Sequence, residues 1–174
     1  AMERVARDES AMVLGMASIT QMWDLHKFYD SMDLSELAHR AIDLGFHPIV
    51  LNMCLLVYLS PRVVRYQNCH SEPITIHNSI VAGCGEANNM AKIILYSVML
   101  AANSYDPLVR VRQFVDDLPQ RMEGTVDQIN KTFPCAATTF AKDLSDLGLV
   151  ISDKSVTVAS TDQVYGPLEQ ALAN

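Results

Sequence analysis

The sequence predicts an α+β fold, an antiparallel sheet with helices packed on one face. Three observations carry the prediction. Apolar residues recur at helical spacing in several stretches, as at Leu34, Leu37, Ala38, Ala41 and Ile42. Short runs between them alternate, as in Val109-Arg110-Val111-Arg112. The helical stretches separate the strands as crossovers, and there are enough of them to cover one face of a sheet.

Taken in order, "SITQMWDL" (Ser18 to Leu25) is the first strand, with Ile19 and Trp23 on one side of the pleat. The first helix follows in "DLSELAHRAIDLG", where Asp33 and Glu36 stand at capping-box spacing and Gly45 stops it. Pro48 opens a second helix through "PIVLNMCLLVYLS", and Pro61 closes it. Val63 to Gln67 and Pro73 to His77 read as short strands paired in a hairpin. From Glu86 to Asn103 the residues are apolar almost all round, which predicts a buried helix.

"PLVRVRQFV" then alternates as a strand running into Asp116-Asp117. Val126, Ile129, Phe133, Ala137, Phe140, Leu144 and Leu147 predict a helix kinked or restarted at Pro134. "GLVISDKSVTVAS" reads as a closing hairpin, with Leu149, Ile151, Val156 and Val158 alternating about a turn at Asp153-Lys154. The order is strand, two helices, strand pair, helix, strand, strand, helix, hairpin. It is related to the split βαβ, ferredoxin-like arrangement. In that topology the first strand lies beside the strand ending at Asp116, so Asp24 faces the Asp116-Asp117 turn.

Composition narrows the classes. With 49% hydrophobic and 19% charged residues, the 174-residue chain is expected to fold as one globular domain, residues 1–174. Its formal net charge of −7 opposes a stand-alone nucleic-acid binder, which usually carries a basic face. Cys54, Cys69, Cys84 and Cys135 form no C-x-x-C pair. Cys69-His70 with His77 suggests a metal site, but a second ligand pair is missing, so free thiols are expected. Reduced thiols point to an intracellular protein, cytoplasmic or nuclear. The apolar run Ile49 to Leu59 contains Asn52 and is too short to span a bilayer, so no membrane partner is expected.

An Asp-Asp doublet by itself proves little, since 13 aspartates in 174 residues make about one adjacent pair expected by chance. Order and spacing give it meaning. "MWDLHKFYDSMDLSEL" (Met22 to Leu37) resembles the first catalytic motif of reverse transcriptases, an aspartate followed five residues later by an aromatic. "NSIVAGCGEANNMAKI", from Asn78, resembles their glycine-bearing second motif, "QFVDDL" the third, and "LGLVISDKSVTV" (Leu147 to Val158) the fourth. "LGF" and "YLSPRVVRYQN" fit the linking pattern of retrotransposon enzymes. The resemblance covers about Ile19 to Ser160, motifs within 19–160, and is nearest the palm subdomain of non-LTR retrotransposon or group II intron enzymes. The chain departs from the family at Ala82 and Glu86-Ala87, where Gln and Ser-Pro are usual, and at His26 and Phe28.

The resemblance implies an RNA-directed DNA polymerase with Mg²⁺ (or Mn²⁺) as cofactor. A primer 3′-hydroxyl attacks the α-phosphorus of a dNTP while two ions about 3.5–4 Å apart clamp the attacking and leaving oxygens. It implies that Asp24 and Asp116 bridge the ions, the Leu25 carbonyl adds a ligand, and Asp117 is the more peripheral carboxylate. Tyr29 stands where the family has an aromatic gate against the 2′-hydroxyl, although a core aromatic fits the same position. Asp30 orients backbone or touches substrate. Gly83 either lets backbone approach a template base or simply turns the chain. Lys154 either protonates departing pyrophosphate or is a solvated turn lysine.

The implied partners are an RNA or DNA template, a primer strand and dNTP. About 20 residues precede the first motif and about 15 follow the fourth, too few for fingers and thumb. A palm-centred piece of a larger polymerase is therefore expected, with the remaining subdomains as further partners. An inactive, reverse-transcriptase-derived binding module is the alternative. A phosphorylation receiver also uses an aspartate pair, a lone aspartate and a lysine, but in the reverse chain order.

Overall fold

The computed structural model describes residues 10 and 13–173. Its elements run β1 (Ala17–Trp23), α1 (Leu34–Asp43), α2 (Pro48–Leu59), β2 (Arg65–Tyr66), β3 (Cys69–His70), α3 (Ala87–Tyr105), β4 (Val109–Val111), β5 (Leu118–Gly124), α4 (Val126–Asp146), β6 (Val156–Ala159) and α5 (Asp162–Leu172). The chain divides into two compact units. One holds the described residues up to His26 and from Ser97 onward; the other is Lys27–Tyr96. No helix among the described residues is long and apolar enough to cross a membrane.

The first unit is built on a four-stranded sheet in the order β4-β5-β1-β6, with every neighbouring pair antiparallel. Cross-strand partners share a face, so Ile19, Trp23, Leu118, Met122, Val109 and Val111 line one side together. All six are buried. Against them α4 brings Ile129, Phe133, Phe140 and Leu144, and α5 brings Val164 and Leu168. The Trp23 and Phe140 rings stand 6.0 Å apart in a tilted arrangement. A polar pin crosses this apolar layer. The Trp23 indole N–H donates to Gln120 Oε1 (3.0 Å), and Gln120 Nε2 donates to the Ala136 carbonyl (3.1 Å).

Local chemistry sets the ends of α4. The Thr125 hydroxyl accepts from the Gln128 amide, and the Gln128 side chain accepts from the Thr125 amide, a complete capping box. Gly148, at φ 75°, takes the left-handed turn after the C-cap. Pro134 does not break or restart the helix; α4 runs through it as one element. The sequence counts a second strand before α4 without locating it, at what proves to be β5, and does not single out α5. Pro119 sits at the second residue of β5, and Gly166-Pro167 lies inside α5. Both are poor formers of the elements they occupy. Packing on the sheet and on α4 overrides that preference.

The predicted closing hairpin about Asp153-Lys154 is corrected by the structure. Residues 150–159 follow β1 as a single interrupted edge: β6 pairs with Ile19–Met22, and Ile151 bridges to Leu25. The 152–155 turn is a bulge in that edge, and β1 takes both apolar arms as its partner.

In the second unit Asp33 caps α1, accepting from the Ser35 and Glu36 amides at 2.7 and 2.9 Å. Glu36 directs its carboxylate to Arg40. Gly45 at φ 71° stops the helix, as its position predicts. The hairpin between α2 and α3 is narrower than expected. Its second arm is Cys69–His70, with an Arg62↔Ile74 bridge beyond, rather than Pro73 to His77. Segment 78–80 pairs back on 29–33: the Ile80 amide donates to the Tyr29 carbonyl and the Ser79 amide to that of Met32.

Candidate functional site

The Asp116-Asp117 doublet lies at the tip of the β4–β5 hairpin. Phe114 and Asp117 exchange both backbone hydrogen bonds, at 2.9 and 3.0 Å, which leaves Val115 and Asp116 as a two-residue turn. Turns of this length need positive φ, and Val115 supplies it at φ 60°. For a β-branched residue that conformation costs about 1–3 kcal/mol. Asp116 is thereby held at the apex, with Asp117 starting the return strand. Both are exposed.

Asp24 reaches the same place from β1. The strand ending at the doublet is not the direct neighbour that the sequence suggests; β5, the strand leaving it, pairs with β1. The last rung is Trp23↔Leu118, and one residue further on the two strands come Asp24 and Asp117. Alternation puts this pair on the face opposite Trp23 and Leu118, away from α4. Asp24 is half-buried.

The 152–155 bulge grips the backbone of Asp24. The Ser152 amide donates to the Asp24 carbonyl (2.8 Å), and the Asp24 amide donates to Ser155 Oγ (3.0 Å). The Lys154 amide donates to Ser152 Oγ (3.2 Å), which folds the turn and leaves the exposed lysine beside the β1 end. The His26 amide bonds the Val150 carbonyl, so this ladder uses the Asp24 carbonyl and the His26 amide and bypasses the Leu25 carbonyl. Ser152 and Ser155 are the residues that sequence reasoning misses. Their only signal is a serine on each side of Asp-Lys, a common turn composition.

Tyr29, Asp30 and Gly83 belong to the second unit. The Tyr29 hydroxyl donates to Asn88 Oδ1 (3.1 Å), and its half-buried ring stands 5.3 Å from that of Phe28. Asp30 accepts from the Ser79 hydroxyl (3.2 Å), tying the first motif to the second. Gly83 lies at φ 85° in the 81–84 turn, and a Cβ there would meet open space. Backbone conformation, not crowding, calls for glycine at this position. Beside it, the Tyr58 hydroxyl lies 2.9 Å from Cys84 Sγ. Burial, then that contact, pushes the Tyr58 phenol well above its ordinary range, and burial raises the Cys54 thiol.

Among the described residues no three His, Cys, Asp or Glu side chains gather into a ready metal cage. The donors at the sheet end are nonetheless of the right kind for Mg²⁺, which takes carboxylate oxygens. Mg²⁺ is usually bound through one or two carboxylates, with water and phosphate completing the shell. Asp24 and the hairpin tip fit that pattern.

No family model and no curated protein matches the chain. Solved structures do. Telomerase from Candida tropicalis, in complex with the TWJ fragment of telomeric RNA, matches at TM-score 0.60 and 11% identity, over 92% of this chain and 29% of that one. Apo telomerase from the same organism, truncated from its C-terminal domain, matches at TM-score 0.60 and 10% identity, over 91% and 34%. The chain thus spans about a third of the length of the telomerase chains it matches. The likeness is one of fold: a mixed α+β architecture with an antiparallel sheet, similar to part of these telomerase chains.

Proposed function

We propose that this chain is the palm of an RNA-directed DNA polymerase of retroelement type, joining dNTP to a primer 3′-hydroxyl under a template. One observation supports this most. Asp24 and the Asp116-Asp117 turn share one end of adjacent strands, on a fold like that of telomerase. In this reading Asp24 and Asp116 hold Mg²⁺ or Mn²⁺, with the Leu25 carbonyl as a further donor and Asp117 at the periphery. Bound ions would activate the primer hydroxyl and neutralise the leaving pyrophosphate.

The protein's own groups do the rest. The serine grip on the Asp24 backbone fixes where its carboxylate starts from, so little reorganisation remains when substrate arrives. Lys154, carried on the same bulge, donates the proton that the departing pyrophosphate needs. Tyr29 and Gly83 keep the roles the resemblance gives them, sugar discrimination and approach to the template. The template, primer and dNTP are partners in this proposal, as are the remaining parts of a larger polymerase.

Primer extension on an annealed RNA template tests it. Nucleotide addition should require Mg²⁺ or Mn²⁺ and should vanish in Asp116→Asn. A variant that extends at the wild-type rate would refute the assignment. The departures from the second motif at Ala82 and Glu86-Ala87, where the template grip would lie, favour a second reading, a polymerase-derived binding module without activity. Template binding with no metal-dependent addition by the wild type would select it.

A further inference from the structure

Helix α2 is apolar all round but buried on one side only. Its 12 residues, Pro48–Leu59, include no Asp, Glu, Lys or Arg. A helix of that composition belongs inside a core. Leu51, Cys54 and Tyr58 are indeed buried. Ile49, Met53, Leu56, Val57 and Leu59 are each 50–66% exposed. Ile49, Met53 and Leu56 fall at i, i+4 and i+7, so they form one stripe, with the exposed Asn52 beside it. The neighbouring α1 shows the ordinary solution, turning Glu36, His39 and Asp43 to solvent.

The five side chains leave roughly 500 Å² bare, near the top of the range of about 300–600 Å² typical of a monomer's largest patch. Burying that face calls for a second apolar surface.

We infer that the exposed face of α2 is a self-association surface, whose occupant is the same face of a second copy of this chain. The inference goes beyond the polymerase reading and does not depend on it. Charge selects the occupant. At a net charge of −7, two copies repel each other over most of their surfaces. A charge-free face is where they meet without setting carboxylates against carboxylates. A strongly charged partner would need complementary charge, and α2 offers none. An anionic lipid surface would need basic residues along the helix. Symmetry fits as well. In a twofold contact each face must complement itself. Apolar side chains do so, and the Asn52 carboxamide, donor and acceptor at once, pairs with its own copy. Size sets the strength. Two such faces bury about 1,000 Å² together, the lower bound of a specific interface, so the dimer is weak.

Sedimentation equilibrium of the full chain over about 2–200 µM tests this, in EDTA and with reductant to keep Cys69 and Cys135 as thiols. The wild type should show a reversible monomer–dimer equilibrium with a Kd of roughly 10–100 µM. Raising NaCl from about 50 to 500 mM should tighten it severalfold, because screening relieves the repulsion and leaves apolar contact intact. Met53→Gln/Leu56→Gln should weaken association by roughly tenfold or more, with the circular dichroism and urea midpoint of the wild type. Leu108→Gln, which replaces an exposed leucine of the other unit, should associate like the wild type. Should the double variant fail to fold, the singles Met53→Gln and Leu56→Gln decide in the same way. A wild type that stays monomeric throughout would overturn the inference, as would a glutamine variant that dimerises normally. Association that weakens with salt would overturn it in favour of a charged contact elsewhere. Capture of the wild-type monomer, but not the variant, by phosphatidylcholine vesicles would assign the face to a lipid surface instead.

Discussion

Val115 holds a backbone angle that glycine or asparagine would take at less cost, and it does so at the centre of the candidate site. Replacing it with Gly should relieve about 1–2 kcal/mol of left-handed strain. Greater freedom of the unfolded chain would return about 0.4–1 kcal/mol of that. Val115→Gly should therefore unfold at slightly higher urea concentration, yet turn over more slowly because the Asp116 apex is less constrained. A lower urea midpoint would mean that the valine side chain makes contacts worth more than the strain. Tyr29 makes a different prediction. Tyr29→Ala should raise ribonucleotide incorporation relative to deoxynucleotide in an extension-competent assay. An unchanged ratio with reduced stability would return the ring to a packing role beside Phe28. Asp24, Asp116 and Tyr29 stand out in the sequence because their motifs are local. Gln120 does not, since a polar residue in an alternating strand reads as outward-facing, whereas it is buried between Trp23 and Ala136.

Elements with strong local signals are legible in the sequence: β1 by its alternation, α1 by its helical stripe and Asp33 cap, and α2 by the prolines at its two ends. Elements whose partners are distant are not. The fourth motif alternates on both sides of Asp153-Lys154, which is what a hairpin would do. The outcome is decided 131 residues away in the chain, where the Asp24 amide takes Ser155 Oγ. β5 and α5 are hidden for the opposite reason, because local formers are poor and tertiary burial supplies the stability. The serine grip makes its own prediction. Ser155→Ala should cost about 1 kcal/mol, the scale of one hydrogen bond, while reducing metal-dependent addition more than that loss of stability explains. Activity falling only in step with the folded fraction would show that the bulge supports structure and not the position of Asp24.

At the scale of the molecule, the division into two units leaves no compositional mark. One boundary falls between His26 and Lys27, inside the first motif and two residues beyond Asp24, and the other between Tyr96 and Ser97, inside α3. Neither has a glycine- or serine-rich linker to announce it. The net charge of −7 is the larger physical constraint on function. An acidic chain repels a polyanion except where it concentrates cations, so binding of primer–template should weaken steeply with salt. The proposed polymerase function would depend on a divalent ion at the end of β1 and the β4–β5 hairpin. The most direct measurement is Mn²⁺ paramagnetic broadening of backbone amide resonances in the wild type and in Asp116→Asn. Broadening should concentrate at Asp24, Leu25 and Phe114–Leu118 at low Mn²⁺, and should be largely lost in the variant. Broadening centred elsewhere, or unchanged by Asp116→Asn, would contradict the site.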